Sequence, residues 1–428
     1  MKKKIIKPIS AIRGMLIMPG DKSVSHRAVI MGSIARGMTT VRNMLHCDDC
    51  NYTIEAFRSM GVRIEIAPDG DMLIEGKGLR GLARPPQGEI FLGESGTSMR
   101  ILPGVIAGQD FDVTFTGGPS LSKRPMKRII DPLKKMGVVV KASKGGFPPL
   151  TVRERIKKPA VHTLKVASAQ VKSCILLAGL YLPRTTIVIE PVRSRDHTER
   201  MLRSFGAEVL EKDRSVSITG GKELTGKSVA VPGDISSAAF FMAAAVLLPG
   251  SRITLPSVGV NRTRSGVLDV LTRMGASVEI INERGSPEPI ADITVSSSPI
   301  HGVTIEKEEL PRLIDEVPII IVLAARAAGT TVIEGAHELR VKETDRIESM
   351  VSNLRRMGAK ITAKGDDIIV EGVPTLRGAS IEAFGDHRTA MSLSVAALSA
   401  EGKSELDDPE CVSKSFPGFF EVLNKVSG

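Results

Sequence analysis

Alternating helix and strand signals repeat along the chain. In each repeat a helix-like stretch ends just before a glycine, and a β-rich run follows. The recurring glycines are Gly61, Gly137, Gly206, Gly275 and Gly358. A glycine after the last helical residue is typical of a helix C-cap. Alternating apolar and polar residues, as in 62–66 and 277–281, are typical of a half-buried strand. The repeating unit is therefore helix, glycine, strand.

A second helix precedes each of these units. A polar turn opens a run rich in Ala, Leu and Met, which ends at or near a glycine and leads into a β-branched strand. We predict such helices over 25–37, 169–182, 236–250 and 317–329. The recurring glycines are 76, 69, 69 and 83 residues apart, and residues 386–428 begin in the same way but stop early. The sequence thus contains six units and predicts an α/β fold.

Two of the repeat openings share the tripeptide Pro-Gly-Asp, at 19–21 and 232–234. Pro-Gly favours a turn at each position. If the chain crosses between two lobes at these turns, residues 21–234 form one lobe of three units, and residues 1–20 plus 235–428 form the other. A binding site is then expected in the cleft between the lobes.

The charge balance favours anionic ligands. The chain of 428 residues has 58 basic and 48 acidic side chains, a net charge of +10. Proteins that bind single-stranded nucleic acid stack bases on aromatic side chains. This chain has no Trp, two Tyr and 12 Phe, the last mostly within apolar runs. We therefore expect small anionic molecules as partners rather than nucleic acid.

The sequence predicts neither a membrane span nor a secretory signal. The longest apolar run, 238–248, has 11 residues, whereas a bilayer requires about 18–20. Lys7 and Pro8 interrupt the N-terminal apolar residues. Four cysteines are too few for a disulfide scaffold, and the CxxC at 47–50 lacks a second pair to complete a zinc site. We expect a cytoplasmic protein with reduced thiols that bind no metal.

Two phosphate-binding motifs match the sequence only superficially. Residues 221–228 fit GxxxxGK[ST], but β-branched residues and a proline turn follow where a P-loop needs a helix. We interpret this segment as a glycine-rich hairpin. Residues 76–81 fit GxGxxG but lead into Pro85-Pro86, which cannot open a dinucleotide-binding helix.

Polar clusters lie at the openings of the repeats, where a helix N-terminus offers unpaired N–H groups to an anion. The clusters combine cations, hydroxyls, amides and small residues, and they cover 21–27, 93–100, 168–173, 340–346 and 385–388. A single Arg or Lys is more often a solvated surface residue, and Asp315 in isolation is explained as an acid at a helix start. His387 is open to interpretation as a ligand contact or as a packed core residue.

These clusters resemble the 5-enolpyruvylshikimate-3-phosphate (EPSP) synthase family, in its class II branch. The similar segments occur in the family's order over essentially the whole chain: 19–27, 93–100, 124–126, 168–173, 195–199, 315–316, 339–346, 386–388 and 414–417. The resemblance implies a two-lobed, inside-out α/β barrel of six βαβαββ repeats, three per lobe, with helices packed inside. It implies no metal or organic cofactor, and we expect a monomer.

The implied reaction transfers the enolpyruvyl group of phosphoenolpyruvate to the 5-hydroxyl of shikimate 3-phosphate and releases phosphate, within aromatic amino acid biosynthesis. Attack of a hydroxyl on an enol ether needs a base at the hydroxyl and an acid at the methylene carbon. By resemblance Asp315 is the base, and Glu343 and Lys22 move protons at the enolpyruvyl group. The resemblance places lobe 21–234 mainly on shikimate 3-phosphate and the other lobe mainly on phosphoenolpyruvate.

The resemblance also assigns binding residues, and guanidinium forks suit a ligand that carries both phosphate and carboxylate. The residues implied for shikimate 3-phosphate are Lys22, Ser23, Arg27, Ser168, Ala169, Gln170, Ser194, Arg195, Asp315 and Lys342. The residues implied for phosphoenolpyruvate are Lys22, Gly96, Arg124, Gln170, Arg346, Arg388 and Lys414.

Two positions bear on affinity and inhibition. Glu94 stands where the family usually has Asn, so a carboxylate is placed near an anionic substrate unless it points away or pairs with a cation. Gly96 stands where herbicide-tolerant class II enzymes have Ala, and we hypothesise that it leaves room for the inhibitor glyphosate.

Three other functions compete with this interpretation. The nearest is a UDP-N-acetylglucosamine enolpyruvyl transferase, which shares the fold but typically uses a loop cysteine in the region matching 119–127, where this chain has none. A P-loop nucleotide-binding module and a basic nucleic-acid binder are the alternatives from other classes.

Overall fold

The computed structural model describes residues 3–153, 155–285 and 287–426. Within them the chain forms these α-helices: α1 (Lys22–Ile34), α2 (Asp48–Ser59), α3 (Gly96–Ile106), α4 (Lys127–Lys135), α5 (Ala169–Gly179), α6 (His197–Ser204), α7 (Ile235–Leu247), α8 (Gly266–Arg273), α9 (Val317–Ala324), α10 (Arg346–Arg356), α11 (His387–Leu398) and α12 (Phe419–Val426). Short 3₁₀ segments cover Pro86–Gly88, Leu121–Lys123, Leu310–Arg312, His337–Val341 and Pro409–Lys414.

The strands in the first part of the chain are β1 (Lys4–Ile6), β2 (Arg13–Met15), β3 (Ala35–Arg42), β4 (Arg63–Ile66), β5 (Met72–Lys77), β6 (Glu89–Phe91), β7 (Val113–Thr116), β8 (Val139–Ser143), β9 (Phe147–Arg153), β10 (Val161–Thr163), β11 (Thr185–Ile189), β12 (Glu208–Lys212), β13 (Ser215–Thr219), β14 (Leu224–Thr225) and β15 (Ser228–Ala230). Those that follow are β16 (Arg252–Gly259), β17 (Ser277–Arg284), β18 (Ile290–Ser296), β19 (Thr304–Ile305), β20 (Thr330–Ile333), β21 (Lys360–Lys364), β22 (Asp367–Glu371), β23 (Leu376–Arg377), β24 (Ser380–Ile381), β25 (Ala400–Glu401) and β26 (Ser404–Leu406).

The chain divides into two compact units. Unit 1 comprises Met1–Pro19 and Pro232–Gly428, and unit 2 comprises Gly20–Val231. Both crossings fall in or beside the Pro-Gly-Asp turns, one residue before the predicted crossing at 20/21 and three before that at 234/235. The assignment of one substrate mainly to each unit stays a prediction.

Each complete repeat is one four-stranded sheet with two helices. In β10-β11-β13-β12 the first two strands are parallel, with Val161 opposite Ile187, and the others are antiparallel, with Thr185 opposite Thr219. The same order recurs in β6-β7-β9-β8 and in β19-β20-β22-β21. Short parallel strands need a crossover helix between them, which is why each sheet contains the βαβαββ sequence.

The sheets of the remaining repeats include strands from distant parts of the chain. In unit 2, β14 and β15 at the end of the unit pair in parallel with β3 at its start. In unit 1, β2 pairs with β16, and β1 pairs antiparallel with β26. The repeat over 386–428 is therefore not simply cut short, because the N-terminal strand β1 completes its sheet.

Three helices in each unit are buried on all sides. In unit 2 these are α1, α3 and α5, and in unit 1 they are α7, α9 and α11, where every residue of α9 and α11 is buried. Helices that are apolar all round belong inside a protein. α3 packs against α5, and α11 packs against α7 and α9. The predicted α/β class, with six repeats and interior helices, is confirmed.

The five recurring glycines end helices as predicted. They adopt φ values of 84–95° after α2, α4, α6, α8 and α10. Each glycine N–H donates to the carbonyl three residues earlier, at 2.9–3.0 Å, and the next N–H donates to the carbonyl five residues earlier, at 2.9–3.1 Å. This paired pattern satisfies the last carbonyls of the helix, and glycine adopts the positive φ that it requires without strain.

Other predicted boundaries are wrong. The helix predicted over 25–37 is α1, three residues earlier, and Gly37 lies within β3 at a φ of 85°. The helices predicted to end at 182, 250 and 329 end at Gly179, Leu247 and Ala324. The residues between these helix ends and the next strands form turns. Gly250 and Gly329, also at positive φ, lie in those turns and do not cap the helices.

The segment over 221–228 is neither a P-loop nor the predicted hairpin. No helix follows it, and its two strands, β14 and β15, pair with β3 rather than with each other. Gly226 separates them, and a Cβ there would lie 2.5 Å from the backbone oxygen of Met38. Gly226 is therefore explained by the close approach of the β3 backbone, which leaves no room for a side chain, and not by phosphate binding.

Within the described residues, no helix is both long and apolar enough to cross a membrane. The four cysteines are free thiols and all are buried.

Candidate active site

The start of α1 presents Lys22 beside a carboxylate. Asp21 caps the helix by accepting a hydrogen bond from the Val24 N–H at 2.9 Å. Lys22 Nζ lies 3.0 Å from Asp49 Oδ2, in the first turn of α2, and the two side chains are 16% and 11% exposed. The ammonium group of Lys22 is therefore held at a helix start, where an anion is also favoured.

Arg27 links three helices of unit 2. Its Nε donates to Thr198 Oγ1 at 2.6 Å, its Nη2 to Ser173 Oγ at 2.9 Å, and its Nη1 to the Ser23 carbonyl at 2.9 Å. Ser173 in turn donates to the Ala169 carbonyl at 2.6 Å. The buried guanidinium thus ties the start of α1 to the starts of α5 and α6.

Gly96, the first residue of α3, lies under two guanidinium groups. A Cβ at this position would lie 2.5 Å from Arg124 Nη1 and 2.9 Å from Arg100 Nη1. Arg100 donates to Gln170 Oε1 at 3.1 Å, and Gln170 Nε2 donates to Thr97 Oγ1 at 3.0 Å. Because glycine has no side chain, two cations and an amide converge on the N-terminus of α3.

A buried lysine connects α5 with the loop that contains Ser194. Lys172 Nζ lies 2.7 Å from both Glu190 Oε2 and Glu199 Oε1, and it donates to the Ser194 carbonyl at 3.3 Å. Burial alone would lower the pKa of Lys172, but Glu199 and Glu190 outweigh it and raise that pKa. The Ser194 hydroxyl donates to Glu190. This ion cluster fixes the loop from Ser194 into α6.

In unit 1 the carboxylate of Asp315 lies among three cations. Asp315 Oδ1 is 3.3 Å from Arg346 Nη1, 3.7 Å from Arg388 Nε and 3.9 Å from Lys342 Nζ. Arg388 Nη1 also donates to the Asp315 backbone carbonyl at 3.0 Å. Asp315 lies two residues before α9, and Arg346 and Arg388 lie in the first turns of α10 and α11.

Arg346 joins the acidic groups of this cluster. It is buried, and its Nε donates to Asp386 Oδ2 at 2.8 Å while its Nη2 donates to Glu343 Oε2 at 2.5 Å. Burial acts to lower the pKa of Arg346, but Asp386, Glu343 and Asp315 raise it overall. Lys414 Nζ donates to the Gly385 carbonyl at 2.7 Å and so joins the same group.

Comparison with known proteins identifies the family. The family model for EPSP synthase (3-phosphoshikimate 1-carboxyvinyltransferase) matches residues 6–423. The chain belongs to the EPSP synthase family. A 3-phosphoshikimate 1-carboxyvinyltransferase from Geobacter metallireducens is 49% identical over 430 residues, covering 100% of both chains.

Solved structures agree with this assignment. An EPSP synthase from Acinetobacter baumannii superposes with a TM-score of 0.88 at 44% identity, covering 99% of this chain and 98% of that one. The enolpyruvyl transferase NikO from Streptomyces tendae superposes with a TM-score of 0.79 at 19% identity, covering 99% and 96%. The second likeness concerns the fold alone.

For an EPSP synthase, the structure groups many of the predicted residues within each unit. Those tied together in unit 2 by the contacts above are Ser23, Arg27, Ala169, Gly96, Arg124, Gln170 and, through Lys172, Ser194. Ser168 caps α5 through the Val171 N–H at 3.4 Å, and Arg195 is half-buried in the loop before α6. Lys22 is tied to Asp49 instead. The group in unit 1 contains Asp315, Lys342, Glu343, Arg346, Arg388 and Lys414.

No individual role was predicted for several polar residues of these groups, although Arg100 and Asp386 lie in the clusters 93–100 and 385–388. Arg100 was recoverable, because position i+4 from Gly96 lies on the same helix face. Asp49 and Asp386 are acids near helix starts, where a capping role is the usual interpretation, and their contacts with Lys22 and Arg346 have no sequence signal. His387 is buried at the start of α11.

The carboxylate of Glu94, at a position where the resemblance leads us to expect Asn, is bonded to the neighbouring loop. Its Oε2 accepts from the Leu121 N–H at 2.6 Å and its Oε1 from the Ser120 N–H at 3.2 Å. The carboxylate therefore caps the 3₁₀ turn Leu121–Lys123, just before Arg124. No group of three or more His, Cys, Asp and Glu residues suited to a metal ion occurs in the part of the chain that the structure describes.

Proposed function

We propose that this EPSP synthase transfers the enolpyruvyl group of phosphoenolpyruvate to the 5-hydroxyl of shikimate 3-phosphate and releases phosphate, with Asp315 as the base. The observation that most supports this role is the placement of Asp315 among Lys342, Arg346 and Arg388 in a chain that matches the family over nearly its full length. The cations orient the carboxylate and attract the anionic substrates toward it.

The reaction divides into addition and elimination. In the first step the substrate hydroxyl oxygen bonds to C2 of phosphoenolpyruvate, its proton passes to Asp315, and a second proton is added to the methylene carbon. In the second step a proton leaves the new methyl group and the C2–O bond to phosphate breaks, which restores the double bond. We assign the proton transfers at the enolpyruvyl group to Glu343 and Lys22, because each step needs a positioned acid or base.

The binding roles follow the chemistry of each substrate group. For phosphoenolpyruvate we propose guanidinium contacts from Arg124, Arg346 and Arg388, point charges from Lys22 and Lys414, and a close approach over Gly96 beside Gln170. The half-buried residues Ser168, Ala169 and Gln170 lie at the start of α5, where helix N–H groups favour a phosphate. For shikimate 3-phosphate we propose these three, together with Lys22, Ser23, Arg27, Ser194, Arg195, Asp315 and Lys342.

Some of these groups are already engaged. The guanidinium of Arg346 is held by Asp386, Glu343 and Asp315, and the Ser194 hydroxyl is bonded to Glu190. Binding through them therefore exchanges or supplements existing contacts. We further propose that the enzyme acts as a cytoplasmic monomer without a metal or an organic cofactor. A chelator should leave its rate unchanged, and sedimentation should give the mass of one chain.

Phosphate release tests the function. Wild-type enzyme should release phosphate with phosphoenolpyruvate and shikimate 3-phosphate together but not with either alone. Asp315→Ala should lower kcat by about 10²–10⁴-fold, the usual contribution of a general base. Asp269→Ala is the matched control, because Asp269 is an exposed acid of unit 1 paired with Arg312.

Two results would contradict this proposal. An Asp315→Ala enzyme with undiminished turnover would remove Asp315 from the chemistry. If the folded wild type released no phosphate from the paired substrates, the acceptor would be wrong, and UDP-N-acetylglucosamine would be tested in its place.

A further inference from the structure

A buried ion pair includes Glu316, the residue that follows Asp315 in the chain. Arg264, in the turn before α8, directs Nη1 at both carboxylate oxygens of Glu316, at 2.8 and 3.0 Å. Its Nη2 lies 3.4 Å from Asp234 Oδ1 and donates to the Ser236 hydroxyl, which also donates to Glu316. The side chains of Arg264 and Glu316 are 4% and 0% exposed. Both charges are held by protein groups in fixed positions.

The pair is linked to the proposed base in two ways. Glu316 follows Asp315 in the chain, so the anchored carboxylate of Glu316 fixes the backbone from which Asp315 projects. Arg388 Nη1 lies 3.7 Å from Glu316 Oε1, and the same nitrogen donates to the Asp315 carbonyl at 3.0 Å. Glu316 therefore also attracts the guanidinium that lies beside the Asp315 carboxylate.

Stability alone does not explain such a pair. Removing two charges from water costs about as much as their attraction returns, and apolar residues of similar volume often serve as well. A rigid, multiply bonded pair does, however, restrict the backbone and side-chain positions of its neighbours. Catalytic geometry is sensitive to such restriction, because a displacement of about 1 Å can cost about 10²-fold in rate.

We propose that Arg264 and Glu316 are positioning residues that hold Asp315 and Arg388 in their productive arrangement. This role rests on the proposed function, since it assumes that Asp315 is the base. Neither residue is proposed to touch substrate. Their loss should therefore lower kcat, and it should raise the KM for phosphoenolpyruvate, which we propose to bind Arg388, more than the KM for shikimate 3-phosphate.

The test uses full-length Arg264→Met and, if that variant fails to fold, the double variant Arg264→Met/Glu316→Gln, which also neutralises the carboxylate that Arg264 contacts with Nη1. We expect each folded variant to lose about 10²-fold in kcat, with the KM for shikimate 3-phosphate within about threefold of wild type and any larger rise confined to the KM for phosphoenolpyruvate. Arg264→Lys should recover part of the rate, because an ammonium group makes one of the contacts but not all of them.

Two comparisons separate positioning from a general structural role. Asn353→Ala removes a buried amide of unit 1 that bonds Ser349 and Glu382 rather than Asp315, so it should lower the melting temperature and leave kcat unchanged. In an Asp315→Ala background, Arg264→Met should lower kcat far less than in the wild type, because the effects of substituting residues that act through one another are not additive.

The outcomes are distinct. A folded double variant with wild-type kcat, a loss confined to KM, or a full multiplicative loss in the Asp315→Ala background would each overturn the positioning role. Absence of turnover in the wild type with both substrates would instead contradict the proposed function.

Discussion

The carboxylate of Glu94 accepts a hydrogen bond from the backbone N–H of Leu121 at 2.6 Å. A second bond from the Ser120 N–H, at 3.2 Å, makes Glu94 the cap of the turn that leads to Arg124. Gly118 lies against the same carboxylate, since a Cβ there would be 2.3 Å from Glu94 Oε1. Glu94 therefore shapes the loop that contains Arg124, which we propose binds phosphoenolpyruvate.

Replacing Glu94 should affect one substrate more than the other. Glu94→Ala leaves two backbone donors of the loop without their acceptor, at a cost of about 1–3 kcal/mol, so Arg124 should be held less well. We expect the KM for phosphoenolpyruvate to rise about tenfold and that for shikimate 3-phosphate to change little. Steady-state kinetics of Glu94→Ala and Glu94→Gln measure this.

The glutamine variant keeps an acceptor oxygen and should stay close to wild type. Glu89→Ala is the control, since Glu89 is an exposed acid in β6 that accepts a hydrogen bond from the Thr116 hydroxyl. An unchanged KM for phosphoenolpyruvate in Glu94→Ala would show that the hydrogen bonds between Glu94 and the loop do not contribute to substrate binding.

Gly96→Ala should weaken phosphoenolpyruvate binding without unfolding the enzyme. The new methyl group would lie 2.5 Å from Arg124 Nη1 and 2.9 Å from Arg100 Nη1, which are flexible side-chain ends rather than backbone. Both guanidinium groups must move, and losing one charge-assisted contact raises the KM for phosphoenolpyruvate by about tenfold. We expect weaker inhibition by glyphosate in parallel, because a ligand over Gly96 would meet the same methyl group.

Inhibition assays at several phosphoenolpyruvate concentrations check this second effect. The hypothesis that Gly96 makes the wild type sensitive fails if excess glyphosate leaves its rate unchanged throughout that range. The KM for shikimate 3-phosphate serves as the internal control.

His26 should make the protein less stable in mild acid. Burial first, then Lys22 and Arg27, lower the pKa of His26 from 6.5 to about 3. Between these values the unfolded chain binds a proton that the folded chain does not, so this contribution to stability is complete above about pH 6.5 and declines as the pH falls toward 3. Between pH 6.5 and pH 5 the loss is about 2 kcal/mol.

Denaturant unfolding at pH 7.5 and pH 5.0 measures this contribution. The decrease in unfolding free energy should be about 2 kcal/mol smaller in His26→Gln than in the wild type. His337→Gln should behave like wild type, because the His337 side chain is 55% exposed. Equal decreases in wild type and His26→Gln would mean that His26 titrates alike in the folded and unfolded chains.

Lys172→Met should be among the most destabilising single substitutions in unit 2. It leaves Glu190 and Glu199 buried without the ammonium group that pairs with both, at a cost of about 3–5 kcal/mol. Lys360→Met removes a partner from an exposed pair with Glu371 and should cost at most about 1 kcal/mol. Unfolding free energies measure both, and similar costs for the two variants would contradict the buried pairing.

Restoring charge balance provides a further check. Lys172→Met/Glu199→Gln should be more stable than Lys172→Met, because burial raises the pKa of Glu199 and its neutral amide analogue avoids an unpaired charge. A double variant less stable than the single one would rule out this electrostatic explanation.

The repeat architecture can be predicted from the sequence, because the signals that mark each repeat are local. A helix that ends in a residue with positive φ favours glycine at that position. Gly61 and Gly358 both occur there, and the same two backbone hydrogen bonds close the helix at each. The exact helix ends are harder to predict, since several turn geometries fit between a helix and the next glycine. The helix predicted to end at 329, for example, ends at Ala324. The family motifs also occupy helix starts, where short-range spacing is informative.

The pairing of charges and the strands that complete each sheet depend on long-range contacts and cannot be predicted from local sequence. Arg264 and Glu316 are 52 residues apart, and β1 and β26 come from opposite ends of the chain. No local pattern distinguishes Glu94 capping a loop from Glu94 facing a substrate, because both place the same carboxylate after the same strand. Long-range packing selects among such pairings by burying some charges against fixed partners, and that selection depends on the whole fold rather than on neighbouring residues.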